Sequence, residues 1–435
     1  MQPQPDRIVF ETGDCSVLAL GRVCHLIIQL ELDYAEHLDA DRLSRALRLA
    51  LDAEPILAHR SVYDPVKPYW VPVNPDEFKL FFFTEDRTEY DRFRDEVIDS
   101  KAGPQIKAML LRESDGDHLL LKVAHEAADA GGTKEIARLV TSIYNRLNEN
   151  PDYKPEPNVS GSRSIKQIMN RVPWYAYPRL YLRYLRENWR NYIPKMTLSL
   201  PLPETERTPV QYLVRYLSPE RIAPLAEYGR AREATLNDMI LAAHLHALVK
   251  QRGWDGKHAL RLATTIDLRR YLPGERGEAI CNLSGLEFTR FGPEPGDDFA
   301  ATLDMVVRHT KRQKAFYIGL NNYVGLTPTT DRLKFETVLK IFDSILERGM
   351  RVGNLAHSIT NMGPIKVEDV TFGEAKPLRA FLLPPPGFPP NFLSGVSGYD
   401  GSLTIAVGTH PDLAETLSDF LDAMLAELPD GNTSA

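Results

Sequence analysis

The sequence has few cysteines, and none of them lies in a pattern typical of a disulfide framework or a metal site. Cys15, Cys24 and Cys281 are the three in 435 residues, and no two of them form a CxxC pair. Structural zinc sites and small secreted domains both rely on closely spaced cysteines. We therefore expect a cytoplasmic protein, in a reducing compartment, with no bound metal ion or cofactor.

Long hydrophobic runs and an excess of positive charge are also lacking. The densest apolar segments, 24–30 and 78–83, are far shorter than the ~20 residues that span a bilayer. The N-terminal residues MQPQPDRIVFETGD contain no basic region followed by an apolar run. Lys and Arg total 52 against 59 Asp and Glu, a formal net charge of −7. We expect no secretory signal, no transmembrane segment and no nucleic-acid partner.

A chain of 435 residues is too long for one ordinary core, which predicts two domains of about 200 residues each. Four prolines in 194–209 favour an interdomain linker at 196–209, between domains 1–195 and 210–435. Helices are predicted at 40–52, with the apolar residues on one face, at 164–195, and at about 235–251, where Thr235 and Asp238 have the spacing of a capping box. Strand and helix patterns are mixed in both halves, without the strict alternation of a doubly wound sheet. The sequence therefore predicts an α/β sandwich of two similar domains.

The segment HEAADAGG, residues 125–132, lies where a strand pattern gives way to a helix pattern. Strands are predicted at 105–112 and 118–124, and the second leads directly into His125. Apolar residues at helical spacing follow Gly132. A strand-to-loop-to-helix junction is a common place for a catalytic side chain on a rigid scaffold.

The residue types in this segment suit acyl transfer. Imidazole supplies a base near neutral pH, so His125 could deprotonate a hydroxyl that attacks a thioester. Asp129 could hold the loop from inside, and Gly131 and Gly132 would allow a tight turn and close approach of a substrate. The spacing should occur by chance in roughly one chain of this length in several hundred. On spacing alone, a loop histidine with glycines that merely begin a helix remains an equal alternative.

The segment also resembles the HHxxxDG or HxxxD motif of the CoA-dependent acyltransferase superfamily. That superfamily includes chloramphenicol acetyltransferase, condensation domains, alcohol acetyltransferases and wax-ester synthases. Other segments of the sequence resemble these proteins in order and position: LDADRLSRALRLALDAEPILAHR (38–60), ATLNDMILAAHLHAL (234–248), TIDLRRYLP (265–273) with Cys281-Asn282, SITNMG (358–363) and VSGYDGSL (396–403). The resemblance covers nearly the whole chain.

The resemblance implies an acyl-CoA-dependent transferase of two chloramphenicol-acetyltransferase-like domains, with the active site in a tunnel between them. His125 would be the general base in a direct transfer without a covalent enzyme intermediate. Asp129 would be a structural residue paired with an arginine, for which Arg269 is a candidate. Asn282, Thr360 and Asn361 are candidates for contacts to the oxyanion or the substrate. The acceptor would be a small or lipid-like alcohol, or an amine.

Two rival functions stay open. The first is a free-standing condensation enzyme that takes its acyl group from a carrier protein and could form an amide. The second is a non-catalytic relative that acts as a binding module. Ala124 stands where the motif has its first histidine, and Ala130 where it has a glycine, which is what supports the second rival.

A pair of histidines and an aromatic segment are two further candidates for binding a ligand. His244 and His246 lie two apart on a predicted helix and face different directions, so we expect packing or surface residues rather than metal ligands. Residues 174–192, rich in aromatics and arginines, could lie on a membrane surface or line a lipophilic channel. We favour a packed crossing helix with extended arginines, since Pro178 interrupts the pattern.

Overall fold

The computed structural model describes residues 7–192, 196–291 and 295–429. Its strands are β1 (Ile8–Val9), β2 (Ile27–Tyr34), β3 (His59–Val62), β4 (Tyr69–Pro72), β5 (Phe81–Thr84), β6 (Ile106–Glu113), β7 (Gly116–Ala124), β8 (Gln211–Leu217), β9 (Arg261–Asp267), β10 (Ser284–Arg290), β11 (His357–Ile365), β12 (Pro377–Leu383), β13 (Leu393–Tyr399) and β14 (Ser402–Thr409). Its helices are α1 (Thr12–Leu20), α2 (Ala40–Ala53), α3 (Arg87–Asp95), α4 (Ala130–Glu149), α5 (Lys166–Met169), α6 (Tyr177–Tyr192), α7 (Pro219–Ala231), α8 (Leu236–Arg252), α9 (Phe299–Lys314), α10 (Asn321–Arg332), α11 (Phe335–Arg351) and α12 (Ala414–Ala426).

The first large sheet has the strand order β12-β2-β7-β6-β5. Strands β6 and β7 form the predicted hairpin, in which Glu113 pairs with Gly116 across the turn. Leu119, Leu121 and Val123 of β7 point from one face into a core that also holds the buried side of α2. The helical face predicted for α2 is confirmed, because its apolar residues recur every three or four positions.

The second large sheet has the order β10-β9-β11-β13-β14-β8, with β11 parallel to both of its neighbours. Helices α8 and α12 contribute to the core on this sheet. Helix α8 begins at the predicted capping box: the Thr235 hydroxyl accepts from the Asp238 N–H, and the Asp238 carboxylate accepts from the Thr235 N–H. The mixed sheets and helices of both halves confirm the predicted α/β class.

One strand crosses between the two halves of the chain. Strand β12 comes late in the sequence, yet it pairs antiparallel with β2 in the first sheet, from Pro377 opposite Tyr34 to Leu383 opposite Gln29. The proline-rich loop 384–392 then returns the chain to β13 in the second sheet. The domain boundary predicted at 196–209 would place β12 in the second domain. The backbone hydrogen bonds of β12, however, are formed within the first sheet.

The long helix predicted over 164–195 is divided in the structure. Helix α5 ends at Met169, a short 3₁₀ turn covers Trp174–Ala176, and α6 follows it. Pro173 lies at the break, where a residue before proline is disfavoured in a helix. Residues 193–195, the end of the predicted helix, lie outside the described residues, as do 1–6, 292–294 and 430–435.

The three cysteines are unpaired and buried, and burial raises the pKa of each thiol to about 12. Such thiols stay protonated and are poor nucleophiles. Within the described ranges, every helix is too short or too polar to cross a bilayer.

Candidate active site

His125 follows the last residue of β7 and begins the loop that leads into α4. Its backbone N–H donates to the carbonyl of Leu26, at 3.0 Å, so the loop starts from a position fixed by the sheet. The ring Nδ1 lies 3.2 Å from the carbonyl oxygen of Ala128. A carbonyl can only accept, so Nδ1 carries the hydrogen and Nε2 keeps a lone pair. That tautomer presents Nε2 as a base.

The surroundings of His125 hold the ring in its neutral form. Burial lowers the pKa of His125, while the charge of Asp129, the Ala128 carbonyl and the Asn282 side chain act in the opposite direction. The net effect is a pKa below the usual 6.5. At neutral pH the imidazole is therefore ready to accept a proton, and its polar neighbours would stabilise the cation formed when it does.

Asp129 is the N-cap of α4, and its carboxylate accepts four hydrogen bonds. Oδ1 accepts from the Gly132 N–H and from Arg269 Nη1, both at 2.8 Å. Oδ2 accepts from the Leu283 N–H at 2.7 Å and from the Ser284 hydroxyl at 2.9 Å. Burial alone would raise the pKa of Asp129, but the guanidinium and the backbone donors keep it below its usual range. With four donors in place, this carboxylate holds the loop.

Arg269 joins the second half of the chain to the motif loop. It lies in the 3₁₀ turn after β9 and is only 2% exposed. Besides Asp129, its guanidinium contacts Glu135 at 3.2 Å, Asp267 at 3.3 Å and the carbonyl of Cys281 at 2.9 Å. The structure thus brings together Asp129 and Arg269, the arginine that the sequence offered as its partner.

The two glycines of the motif allow close packing around the loop. A Cβ on Gly131 would lie 2.4 Å from Arg269 Nη1, and one on Gly132 would lie 2.8 Å from Ala128 Cβ. Neither glycine has a positive φ, and both lie in the first turn of α4. Close packing therefore accounts for both glycines, rather than the expected tight turn: Gly131 packs against Arg269, and Gly132 packs against Ala128 and the carbonyl of Cys281. Ala130 is the first residue of the helix, a conformation that alanine readily adopts.

Asn282 contacts the motif loop from the opposite side. Its Nδ2 donates to the carbonyl of Glu126 at 2.8 Å and to Asp14 Oδ1 at 3.1 Å. These two acceptors fix the orientation of the amide and use both of its hydrogens. The remaining oxygen can accept but not donate, so this geometry favours Asn282 as a positioning residue over an oxyanion donor.

A second ion pair behind the loop, between Arg163 and Asp14, was not predicted from the sequence. Arg163 donates to Asp14 Oδ1 at 2.8 Å and to the carbonyls of Ala127 and Ile280. Asp14 lies in the first turn of α1, which packs closely on Asn282: a Cβ on Gly13 would lie 2.5 Å from the Asn282 carbonyl oxygen. Arg163 and Asp14 are 149 residues apart in the chain. No spacing rule connects them, and only the folded structure reveals their pairing.

Thr360 and Asn361 lie on β11 of the second sheet. The Thr360 hydroxyl is 2.5 Å from that of Thr265 on β9, and the Asn361 Nδ2 donates to Asn237 Oδ1 at 2.9 Å. The same strand is tied to α4, because Lys134 Nζ donates to the carbonyl of Met362 at 2.8 Å. The strand that carries both candidates is therefore joined to the helix that follows His125.

No family model matches the chain, and no curated protein matches it either. Solved structures do match it. The first condensation domain of the calcium-dependent antibiotic synthetase, in complex with a substrate analogue, has a TM-score of 0.70 at 18% identity, over 98% of this chain and 96% of that chain. The epimerization domain from the third module of tyrocidine synthetase B has a TM-score of 0.65 at 14% identity, over 97% and 96% of the two chains.

Polyketide synthase associated protein 5 from Mycobacterium tuberculosis is similar over 98% of both chains, with a TM-score of 0.63 and 17% identity. All three matches extend over nearly the full length of the chains compared. They confirm the resemblance stated from the sequence at the level of the fold. The chain has the two-lobed fold of the condensation domains of nonribosomal peptide synthetases.

Proposed function

We propose that this protein transfers an acyl group from a thioester to an alcohol or amine, with His125 as the general base. The observation that carries the proposal is the Nδ1 contact to the Ala128 carbonyl, which leaves the lone pair on Nε2. The loop that presents this nitrogen is held by Asp129 and Arg269 on one side and by Asn282 on the other. A histidine of such fixed tautomer and orientation suits general-base catalysis.

The reaction needs no protein nucleophile. His125 Nε2 accepts the proton of the acceptor hydroxyl or amine as its oxygen or nitrogen attacks the thioester carbonyl. The tetrahedral intermediate then collapses, the carbon–sulfur bond breaks, and the thiolate takes the proton back from the imidazolium. Since a thiolate is a good leaving group, direct transfer avoids a covalent enzyme intermediate. Thr360 and Asn361 are the candidate donors to the oxyanion, with a typical contribution of about 3–4 kcal/mol for one such donor.

Two donors of the acyl group suit this chemistry, and both carry a thioester. Acyl-CoA is the donor that the sequence implies. The structural similarity to condensation domains of nonribosomal peptide synthetases favours a carrier-protein thioester equally well. The chemistry at His125 is the same for either, so the choice lies in what the surface around the site binds.

The proposal is tested by following thiol release from acetyl-CoA, and from an acylated carrier protein, with a panel of alcohols and amines. We expect turnover with at least one pair, and a loss of about 10²–10⁴-fold in His125→Ala. His37→Ala is the matched control, because His37 contacts the carboxylate of Asp117 and lies half-exposed outside the motif.

The outcome separates the two donors and the two classes of function. Turnover with only the carrier-bound donor would identify a condensation enzyme. A folded protein that binds acyl thioesters and releases no thiol with any donor would contradict the proposal and favour a binding module. Unchanged turnover in His125→Ala would show that His125 is not the base.

A further inference from the structure

The outer face of α6 exposes large apolar side chains that the catalytic proposal does not use. Leu182 is 66% exposed and Trp189 is 64% exposed, and Trp174 in the preceding turn reaches 84%. Tyr181 and Leu185 are exposed on the same helix. We call Trp174, Tyr181, Leu182, Leu185 and Trp189 the aromatic face.

The opposite side of α6 is well packed, so the exposure is not that of a loose helix. Leu180 is fully buried, and Tyr184 lies so close to α10 that a Cβ on Gly325 would meet its ring. Arg183 is fixed by a 2.9 Å ion pair with Glu287. The helix predicted to cross and pack therefore has two apolar sides, of which one is in the core and the other is the aromatic face.

The spacing places the exposed residues in one stripe. Positions 181, 185 and 189 are four apart, and 182 and 189 are seven apart, which aligns them along one side of a helix. Arg179, Arg186 and Arg190 follow each other at intervals of seven and four along one edge of that stripe. An aromatic stripe edged by arginines is the pattern of a helix that lies in a membrane interface.

The local charge is opposite to that of the whole chain. Residues 171–190 contain five arginines and one glutamate, and because Arg183 is paired with Glu287 the remaining net charge is 4 − 1 = +3, whereas the chain carries −7. The Arg186 side chain forms an ion pair with Glu187 at 3.3 Å but is more than half exposed, so it stays accessible to a ligand. A concentrated positive charge within an acidic protein favours an anionic partner for this surface.

We propose that the aromatic face binds an anionic lipid surface, with α6 lying parallel to it. Trp174, Trp189 and Tyr181 would enter the interface, where amphipathic rings are favoured, and the arginines would pair with lipid phosphates. A second copy of the chain is a poorer occupant. In a symmetric dimer the same patch meets itself, which would bring two sets of arginines together.

The test is co-sedimentation of the full chain with vesicles of phosphatidylcholine, with and without phosphatidylglycerol. We expect binding to the anionic vesicles that falls as salt is raised, and much weaker binding to phosphatidylcholine alone. Leu182→Glu should weaken binding at least about tenfold, because it removes apolar contact and adds a negative charge. Leu378→Glu, at a position 67% exposed on β12, is the matched control and should bind as the parent does.

A second variant keeps the test decisive if Leu182→Glu fails to fold. Arg186→Ala removes an exposed positive charge together with its ion pair to Glu187, and we expect about fivefold weaker binding to the anionic vesicles. Equal binding to both kinds of vesicle, or equal loss in Leu378→Glu and Leu182→Glu, would overturn the proposal. So would light scattering that shows a dimer which Leu182→Glu dissociates, since the face would then be an interface between copies.

Discussion

The histidine centres at His125 and His357 share a lowered pKa and differ in what their nitrogens do. At His125, Nδ1 contacts the Ala128 carbonyl, so the lone pair lies on Nε2. At His357, Nε2 accepts from the Leu200 N–H at 3.0 Å, and Nδ1 lies 3.0 Å from Nε2 of His244. Burial lowers the pKa of His357 to about 3.

The difference shows that a depressed pKa marks burial, whereas an available nitrogen marks a base. His357 has both nitrogens engaged and is surrounded by the rings of Phe392 and Phe420. His125 is partly exposed and lies among charged and polar groups that would stabilise its cation. The His357 centre is part of the core of the second lobe, and the His125 centre has the features of a catalytic site.

Removing Arg269 should have the largest effect on the His125 centre, because the carboxylate that holds the His125 loop is then buried without its cation. We expect Arg269→Ala to lose about 3–5 kcal/mol of unfolding free energy, measured by urea denaturation. Thiol release should fall with it, since the loop loses its anchor. Arg163→Ala is the related control, as it removes the other ion pair behind the loop.

Asp129→Asn tests whether Asp129 holds the loop or takes part directly in the reaction. The amide cannot accept all four hydrogen bonds that the carboxylate accepts, so we expect stability and activity to fall together. A variant as stable as the parent but inactive would instead show that Asp129 takes part directly in catalysis.

Periodicity and capping chemistry predicted most of the elements around these centres. Helix α2, the β6–β7 hairpin and the start of α8 at Thr235 all depend on neighbours in sequence, which leave a local pattern. The position of His125 at the end of a strand was predictable for the same reason.

The pairings that the sequence did not predict depend on contacts between segments that are distant in the chain. Arg163 approaches Asp14 across 149 residues, and His357 approaches His244 across 113 residues. Strand β12 shows no local sign that it pairs with β2 rather than with its own half. Such contacts depend on the packing of the whole chain, so a rule based on sequence spacing cannot predict them.

The lowered pKa of His357 should make the free energy of unfolding depend on pH. Its pKa is about 3 in the folded protein, against an ordinary value of 6.5, so the unfolded chain binds the extra proton between these two values. Stability is therefore complete above about pH 6.5 and falls as pH decreases towards 3, by at most about 1.4 kcal/mol per pH unit for this group.

Urea unfolding between pH 4 and pH 7 measures this effect. His357→Gln should be less stable at pH 7 but should show a shallower pH dependence than the parent. His258→Gln, which alters a partly exposed histidine outside the core, should leave the slope nearly unchanged. A parent slope that His357→Gln leaves intact would mean that other groups account for the acid sensitivity.

The smallest expected effect is that of Asn282→Ala, which tests whether the polar groups around His125 tune its pKa. Asn282→Ala removes the amide that donates to the Glu126 carbonyl and whose side chain raises the pKa of His125. We expect thiol release to fall about tenfold, ~1.4 kcal/mol of barrier, and the acidic limb of the rate–pH profile to move to lower pH. Asn361→Ala is the matched control on β11, where a donor to the oxyanion would lower the rate without moving that limb. If Asn282→Ala lowers the rate and leaves the acidic limb in place, the amide holds the loop but does not tune the base.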